Sequence, residues 1–342
     1  VKPGNILTLV ILLGLVALLV LVPQLVGSRV VERIATALAI SLVLVVGLQT
    51  FTGNSGILSF AHVGFMGIGA YASAVLTIPV QMRGMALPDL YGVLAQIQVT
   101  PLVGIALGGV VAALVAALVA YPLMRLSDAP AVITSFALLV VIYTVLQHWS
   151  AVTNGPRTLF GLPKATTLPL TAAIASVVIV VALAFKESRT GLLLRASRDD
   201  ERAAAALGAG IPALRWRAFI LSALIAGIGG ALWGHFVTSF SPKAFYLKET
   251  FVILGMLVIG GMNTVTGAVI GAFLISLLFE GLRALETALN ASGVFANQVV
   301  GVTEIVLALA MMAVMFLQPG GLFAATEIGP LILRRFTRRA PP

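Results

Sequence analysis

The sequence predicts an all-α polytopic transmembrane helical bundle of about ten spans, with internal glycine-interrupted helices and both termini cytoplasmic. Three observations predict it. Charged residues make up 10% of the 342 residues, against about 25% in an ordinary soluble domain. The mean hydropathy is +1.10. The apolar residues fall in long continuous runs separated by short polar blocks. A spanning helix needs roughly 20 apolar residues, because the hydrocarbon core is about 30 Å thick. Backbone groups in lipid must bond internally, so such runs are helices. They are too long and continuous for the alternating strands of a barrel.

Taken in order, the first run covers 6–26. It is too long for a signal-peptide core and no small-residue cleavage site follows it, so it reads as a retained span. The second run is 34–52. Gly53-Asn54-Ser55-Gly56 then opens a third, 56–77, which continues through Ser59, His62, Gly64, Gly67 and Gly69. The fourth, 102–121, carries Gly104 and Gly108. The fifth, 131–148, closes on His148-Trp149, amphipathic rings that suit the membrane interface. The sixth is 168–185. The seventh, 217–239, contains Gly230 and Gly234, with His235 near its outer end. Two short runs, 250–262 and 266–288, are parted by Gly260-Gly261-Met262-Asn263-Thr264. The tenth is 299–318, with Glu304 early in it, and a basic tail occupies 326–342. Glycines four apart let helices approach closely in lipid. The whole chain, 1–342, reads as one transmembrane domain.

The longest polar stretch is 186–217. Its middle, Ser197 to Leu207, predicts a helix. Arg198-Asp199-Asp200-Glu201-Arg202 precedes four alanines, and early acidic residues favour the helix dipole. Gly208 and Gly210 stop it, and Pro212 blocks simple continuation. By composition alone this is a solvated connector.

Lysine and arginine placement orients the chain. One basic block is Lys186, Arg189, Arg195, Arg198, Arg202, Arg215 and Arg217; the other is Arg334, Arg335, Arg338 and Arg339. Four runs lie between them, so both blocks fall on one side, taken as the cytoplasm. Six runs precede the first block, which puts the N-terminus there too. Of the 21 basic residues, 13 then lie inside and 8 outside.

Composition excludes a soluble enzyme, a disulfide scaffold and a disordered regulator. With no cysteine there is no disulfide, iron–sulfur cluster or thiolate metal site. The net charge of +9 marks membrane topology and not nucleic-acid binding, because it sits in blocks between apolar runs. No phosphate-binding glycine loop ending in Gly-Lys-Ser or Gly-Lys-Thr and no metalloprotease helix motif is present. Any ATP that drives this protein is therefore hydrolysed by another chain. Carboxylates are scarce at span centres, which weighs against an ion-coupled carrier acting alone. Glu280 and Arg283, three apart near an outer helix end, are placed to pair.

Short, glycine-interrupted helices at corresponding places in two halves point to a transport route. The stretches around Gly53 and Gly260 are about 200 residues apart. Gly67-Ile68-Gly69-Ala70-Tyr71 and Val269-Ile270-Gly271-Ala272-Phe273 look alike. Asn54, Ser55, Ser59, His62, Thr134 and Tyr143 are polar groups on runs near these breaks and, with Asn263, are the candidates for lining a route. The alternative reading of each is a packing or interhelix hydrogen-bonding residue.

Four ordered blocks between about residues 30 and 325 resemble the permeases of branched-chain amino-acid ABC transporters. They are Gly53-Asn54-Ser55-Gly56-Ile57-Leu58-Ser59-Phe60-Ala61-His62 through Tyr71; Arg198 to Gly208 with Arg217-Ala218-Phe219 and Ala226-Gly227-Ile228-Gly229-Gly230; Gly260-Gly261 with Gly267 and Gly271; and Met315-Phe316-Leu317-Gln318-Pro319-Gly320-Gly321-Leu322. The resemblance implies a multi-pass subunit of a bacterial inner-membrane importer. It implies as partners a homologous second permease, two ATPase subunits that bind ATP and magnesium, and an extracytoplasmic solute-binding protein. This chain itself would hold no cofactor. It also implies that Arg198, Asp199, Asp200, Glu201, Arg202, Leu207, Gly208, Gly210 and Pro212 belong to the segment that docks on an ATPase. Two departures stand out. Asn263 replaces the last glycine of the family's Gly-Gly-x-Gly. The outer loop reads Thr153-Asn154-Gly155-Pro156-Arg157-Thr158-Leu159-Phe160-Gly161-Leu162, where Thr-Gly-Gly-x-x-Gly-Leu is common. The family also includes importers of urea, short amides and aromatic acids.

Overall fold

The structure, a computed structural model, describes residues 3–291, 301–318, 320–323 and 326–337. The described residues form helices and no strand; one lone antiparallel bridge joins Leu159 and Phe240. In chain order the helices are α1 (Pro3–Val26), α2 (Arg29–Ser55), α3 (His62–Thr77), the short helices α4 (Val80–Ala86) and α5 (Gly92–Ala95), α6 (Pro101–Leu123), α7 (Asp128–His148) and α8 (Ser150–Thr153). Then come α9 (Leu168–Glu187), α10 (Arg189–Asp199), α11 (Glu201–Ala206), α12 (Ile211–Val237), α13 (Leu247–Gly260), α14 (Val265–Ala291), α15 (Val302–Leu317) and α16 (Ile328–Thr337).

Each of the ten apolar runs falls on a helix, although the tenth begins outside the described residues. Seven helices (α1, α2, α6, α7, α9, α12 and α14) are long and apolar enough to cross a membrane. The other three are shorter. At about 1.5 Å per residue, α3 and α15 reach roughly 24 Å and α13 roughly 21 Å. The third run differs most from expectation. Its helix starts at His62 and not at 56, because Gly56 takes a left-handed φ of +77° and ends α2. The apolar residues Ile57, Leu58 and Phe60 continue the hydropathy across a backbone break that hydropathy cannot register.

The centre of the bundle is α2, packed against α9, α12 and α14, beside a triplet formed by α3, α6 and α12. Glycine makes the triplet possible. A Cβ on Gly230 would sit 1.9 Å from the Met66 carbonyl oxygen, and one on Gly69 would sit 2.1 Å from that of Gly227. The α13–α14 hairpin closes in the same way, Gly260 facing the Gly267 carbonyl. Gly69 and Gly271, the matched positions of the weak repeat, thus both give close backbone approach, but to different helices.

The polar segment departs from the single expected helix. It is two helices, broken at Asp200, which is extended (φ −150°, ψ 108°). Asp200 Oδ1 accepts the Ala203 backbone N–H at 2.9 Å, an N-cap that restarts the helix. Ser188 caps α10 likewise through the Gly191 N–H. His235 lies inside the bundle, although the seventh run places it near an end. It is fully buried, with Nδ1 on the Pro163 carbonyl at 2.9 Å and Nε2 on Ser73 Oγ at 3.0 Å, so both nitrogens have protein partners. His148 and Trp149 are exposed, and the indole N–H reaches the Tyr91 hydroxyl. Arg283 faces Glu280 at 3.9 Å. The side chain of Glu304 and the tail residues Arg338 and Arg339 lie outside what is described.

Candidate functional site

Both glycine-rich breaks lie at one end of the bundle and touch each other. The Met262 carbonyl, in the turn between α13 and α14, lies 2.2 Å from where a Gly53 Cβ would be, and Gln49 Nε2 reaches it at 3.5 Å. The polar segment grips this junction. Arg198, in the last turn of α10, donates from Nη1 to the Gly53 carbonyl at 2.9 Å and to Asn263 Oδ1 at 2.9 Å. Its aliphatic stem lies on Gly56, where a Cβ would be 2.6 Å from Arg198 Cγ. Lys186, at the end of α9, donates to the Asn263 carbonyl at 3.2 Å and pairs with buried Glu327. Glu327 in turn accepts the Val265 and Thr266 backbone N–H groups and the Thr266 hydroxyl. Burial pushes the Glu327 carboxyl up, but the Lys186 ammonium and the Thr266 hydrogen bonds outweigh it and hold it below its ordinary value. The segment after α15 closes the cluster: Leu322 and Phe323 N–H groups bond the Ile259 and Gly260 carbonyls at 2.9 Å each.

A second clamp fixes α11. Glu201 accepts the Ser127 hydroxyl at 2.9 Å and Arg215 Nη2 at 2.8 Å. Arg215 Nη1 also reaches Ser127 Oγ at 3.0 Å and the Leu126 carbonyl at 3.2 Å. Three elements, α11, α12 and the turn that leads into α7, therefore meet at one buried guanidinium. On the opposite side α11 is open. Arg202 is exposed, Leu207 is 87% exposed, and a Cβ on Gly208 (φ +83°) would have no neighbour within 4 Å. Asp199 is exposed, Gly210 precedes α12, and Pro212 lies in its first turn. The nine residues of the expected docking segment thus divide. Arg198 and Glu201 face the bundle, Asp200 caps, and Asp199, Arg202, Leu207 and Gly208 present a surface.

The expected route residues divide as well. Ser59 and His62 meet: His62 Nδ1 and Ser59 Oγ are 2.9 Å apart, while Nε2 hydrogen-bonds Ser222 Oγ. Ser222 donates its one proton to the Gly47 carbonyl at 2.6 Å. Satisfying every atom then puts the imidazole proton on Nε2, with Ser59 donating to Nδ1. Phe51 and Phe219 flank the ring. Asn54 and Ser55 are buried but bond back to their own helix at Thr50 and Phe51. Asn263 belongs to the Arg198 cluster. Thr134 bonds its own helix at the Pro130 carbonyl. Tyr143 stacks on Tyr246 at 4.1 Å. Sequence reasoning missed Ser135, whose hydroxyl accepts the Phe60 N–H within the break, and Ser222. Ser222 is a lone hydroxyl in an apolar run, a signal that could have found it, whereas Ser135 stands beside Thr134, the hydroxyl chosen in its place. It also missed the partners Ser127 and Glu327, which carry no local signal at all.

An all-helical bundle with glycine-packed, interrupted helices, seven of them long and apolar enough to cross a membrane, and a polar segment clasping both interruptions is that of a polytopic membrane protein. The chain belongs to the family described as branched-chain amino acid transport system / permease component, whose profile matches residues 30–317. It is similar to the high-affinity branched-chain amino acid transport system permease protein LivM of Escherichia coli, 27% identical over 308 residues, 79% of this chain and 68% of that one. LivM of Salmonella typhimurium is 26% identical over 306 residues, 80% and 68% of the two chains. The nucleoside ABC transporter permease protein NupC of Lactococcus lactis is 32% identical over 140 residues, 41% and 40%. No solved structure matches. The chain is an inner-membrane protein of the ABC permease family.

Proposed function

We propose that this chain is half of the translocation pore of an ATP-driven importer for branched-chain, hydrophobic amino acids. Two ATPase subunits binding ATP and magnesium, a homologous second permease and an extracytoplasmic solute-binding protein complete it. The chain performs no catalysis itself. It crosses the membrane ten times, with both ends on the side of the polar segment, the cytoplasm. Contacts between Gly4 and Pro330, Lys186 and Glu327, and Arg198 and Gly53 support that topology, since alternating crossings bring these residues to one face. The single observation that carries the reading is the family match over most of the chain together with the two LivM relatives.

The docking surface is the open face of α11 and its glycine stop. Charges agree with a machine powered from outside the membrane. The buried charged side chains among the described residues (Arg83, Lys186, Arg215 and Glu327) lie at helix ends, not at span centres where an ion-coupled carrier places its carboxylates. A second cargo reading is favoured by the NupC similarity and by the divergent outer loop 153–162: the same machine carrying another small polar solute, such as urea, a short amide, an aromatic acid or a nucleoside. Uptake by vesicles holding the assembled complex separates these. Labelled leucine, urea, benzoate and uridine are compared with and without ATP. ATP-dependent leucine entry is the expected result. Entry of another solute alone changes the cargo, and entry driven by an ion gradient without ATP overturns the reading.

A further inference from the structure

We propose that Arg198 is a positioning residue that ties the polar segment to both helix breaks at once, and that Asn263 is its second anchor. The proposal rests on the transport reading above for the movement it transmits. Its physical core is geometric. The two breaks, 56–61 and 261–264, are about 200 residues apart in sequence, yet one guanidinium nitrogen bonds both, at 2.9 Å each.

The Gly53 carbonyl is free to accept. In a continued helix it would take the Ile57 N–H, but that N–H bonds Ser55 Oγ at 3.2 Å and α2 ends at Gly56. Arg198 takes the vacated acceptor. Asn263 is held from both sides, its side-chain oxygen by Arg198 and its backbone oxygen by Lys186. Gly56 is needed twice, for its positive φ and for the space the Arg198 stem fills. A hydrogen bond of 2.9 Å stretched by about 1 Å is lost. A shift of α10 by even that much therefore either carries the α2 end and the α13–α14 turn along together or releases both together. Packed interfaces of this kind switch between discrete arrangements and do not deform smoothly. Asp199, 3.5 Å from Arg198 Nε and largely exposed, offers the guanidinium an alternative partner outside the bundle.

Four variants test this: R198Q, N263A, N263D and the R198Q/N263A double. The first measurement is hydrogen exchange on the complex in detergent. Removing a charge-assisted bond should raise exchange about tenfold at the amides of both 57–61 and 262–266 in R198Q. A rise at neither or at one break alone overturns the clasp, whatever the complex transports. The second is solute moved per ATP hydrolysed, in the complex found to transport. R198Q and N263A should each lower that ratio about tenfold, the double no further, and N263D should retain it because a carboxylate still accepts the guanidinium. Effects of the two single variants that multiply in the double, or an unchanged ratio, overturn the coupling role. Absence of ATP-driven uptake in the unaltered complex would count against the transport reading instead, and exchange would still decide the clasp.

Discussion

Helix α11 has six residues, Glu201–Ala206. Isolated helices shorter than about 12 residues are marginal in water, so α11 depends on its cap and on the Glu201 clamp. Consider Glu201→Ala. The change removes the Arg215 ion pair and the acceptor for Ser127. Arg215 is 4% exposed and Glu201 42%. A surface pair contributes about 0–1 kcal/mol, and breaking a buried one costs about 3–5 kcal/mol. One buried and one half-exposed partner place the loss near about 2 kcal/mol, since Arg215 keeps the Leu126 carbonyl and Ser127. That is about 30-fold in a local opening equilibrium. Hydrogen exchange on the purified protein reads it directly. The amides of Ala204, Leu207, Gly208 and Ala209 bond within this turn and should exchange roughly 30-fold faster, with α6 and α9 unchanged. Ser127→Ala, which leaves the ion pair, should give about tenfold. Unchanged exchange in E201A, or acceleration spread over the whole bundle, would show that the clamp does not hold α11.

Gly230→Ala forces a Cβ against the Met66 carbonyl and should collapse the yield of monodisperse protein by size exclusion, whereas Gly84→Ala, with nothing within 4 Å, should leave it intact. Gly208→Val strains a left-handed stop on an open surface; uptake should fall while ATP hydrolysis by the complex persists, and unchanged uptake counts against docking at this turn. Glu327 titrates below its ordinary value when folded, so its stabilisation is complete above about pH 4.5 and is lost as pH falls below that. Melting temperature should therefore drop, as pH falls below about 4.5, more steeply in the parent than in E327Q, and E327Q should be the less stable at about pH 7.

Among the described residues each apolar run falls on a helix, because burial in lipid or in the protein core alike demands apolar residues all around it. Hydropathy misjudged the ends where the backbone, not the side chains, changes. Ile57, Leu58 and Phe60 look like helix and are not. Asp200, an early helical acid by sequence pattern, is the break itself, although its preference for capping was legible in its residue type. The pairings at the site were not legible. Arg198 meets residues 145 and 65 positions away, and Glu201 reaches back 74 to Ser127. Such contacts follow from how helices pack, and that is set by glycine positions whose partners the sequence does not name. By sequence, Arg198 is one charge among many on a polar connecting segment. In the fold it is a member of the segment that turns inward and reaches both breaks.

The sign of each charge in the cluster follows from the helix ends it meets. In the ten-span topology proposed above, a helix about 21–24 Å long leaves roughly 6–9 Å of a 30 Å core to irregular backbone. Irregular backbone at that depth survives only where protein satisfies its polar groups. At the end of α2 the unsatisfied groups are carbonyls, and the residue supplied is Arg198. In the turn after α13 they are again carbonyl and amide oxygens, met by Arg198 and Lys186. At the start of α14 they are N–H groups, and the residue supplied is Glu327. Cations at carbonyl ends and a carboxylate at an amide end also oppose the helix dipoles favourably. Lys186 and Glu327 neutralise each other, so two buried charges enter the membrane face without a net one. Among the described residues Arg198 has no such buried counter-ion; the carboxylate it meets, Asp199, is exposed at the surface. Of the three charges holding the breaks, it is the one whose partners outside the bundle can compete for it.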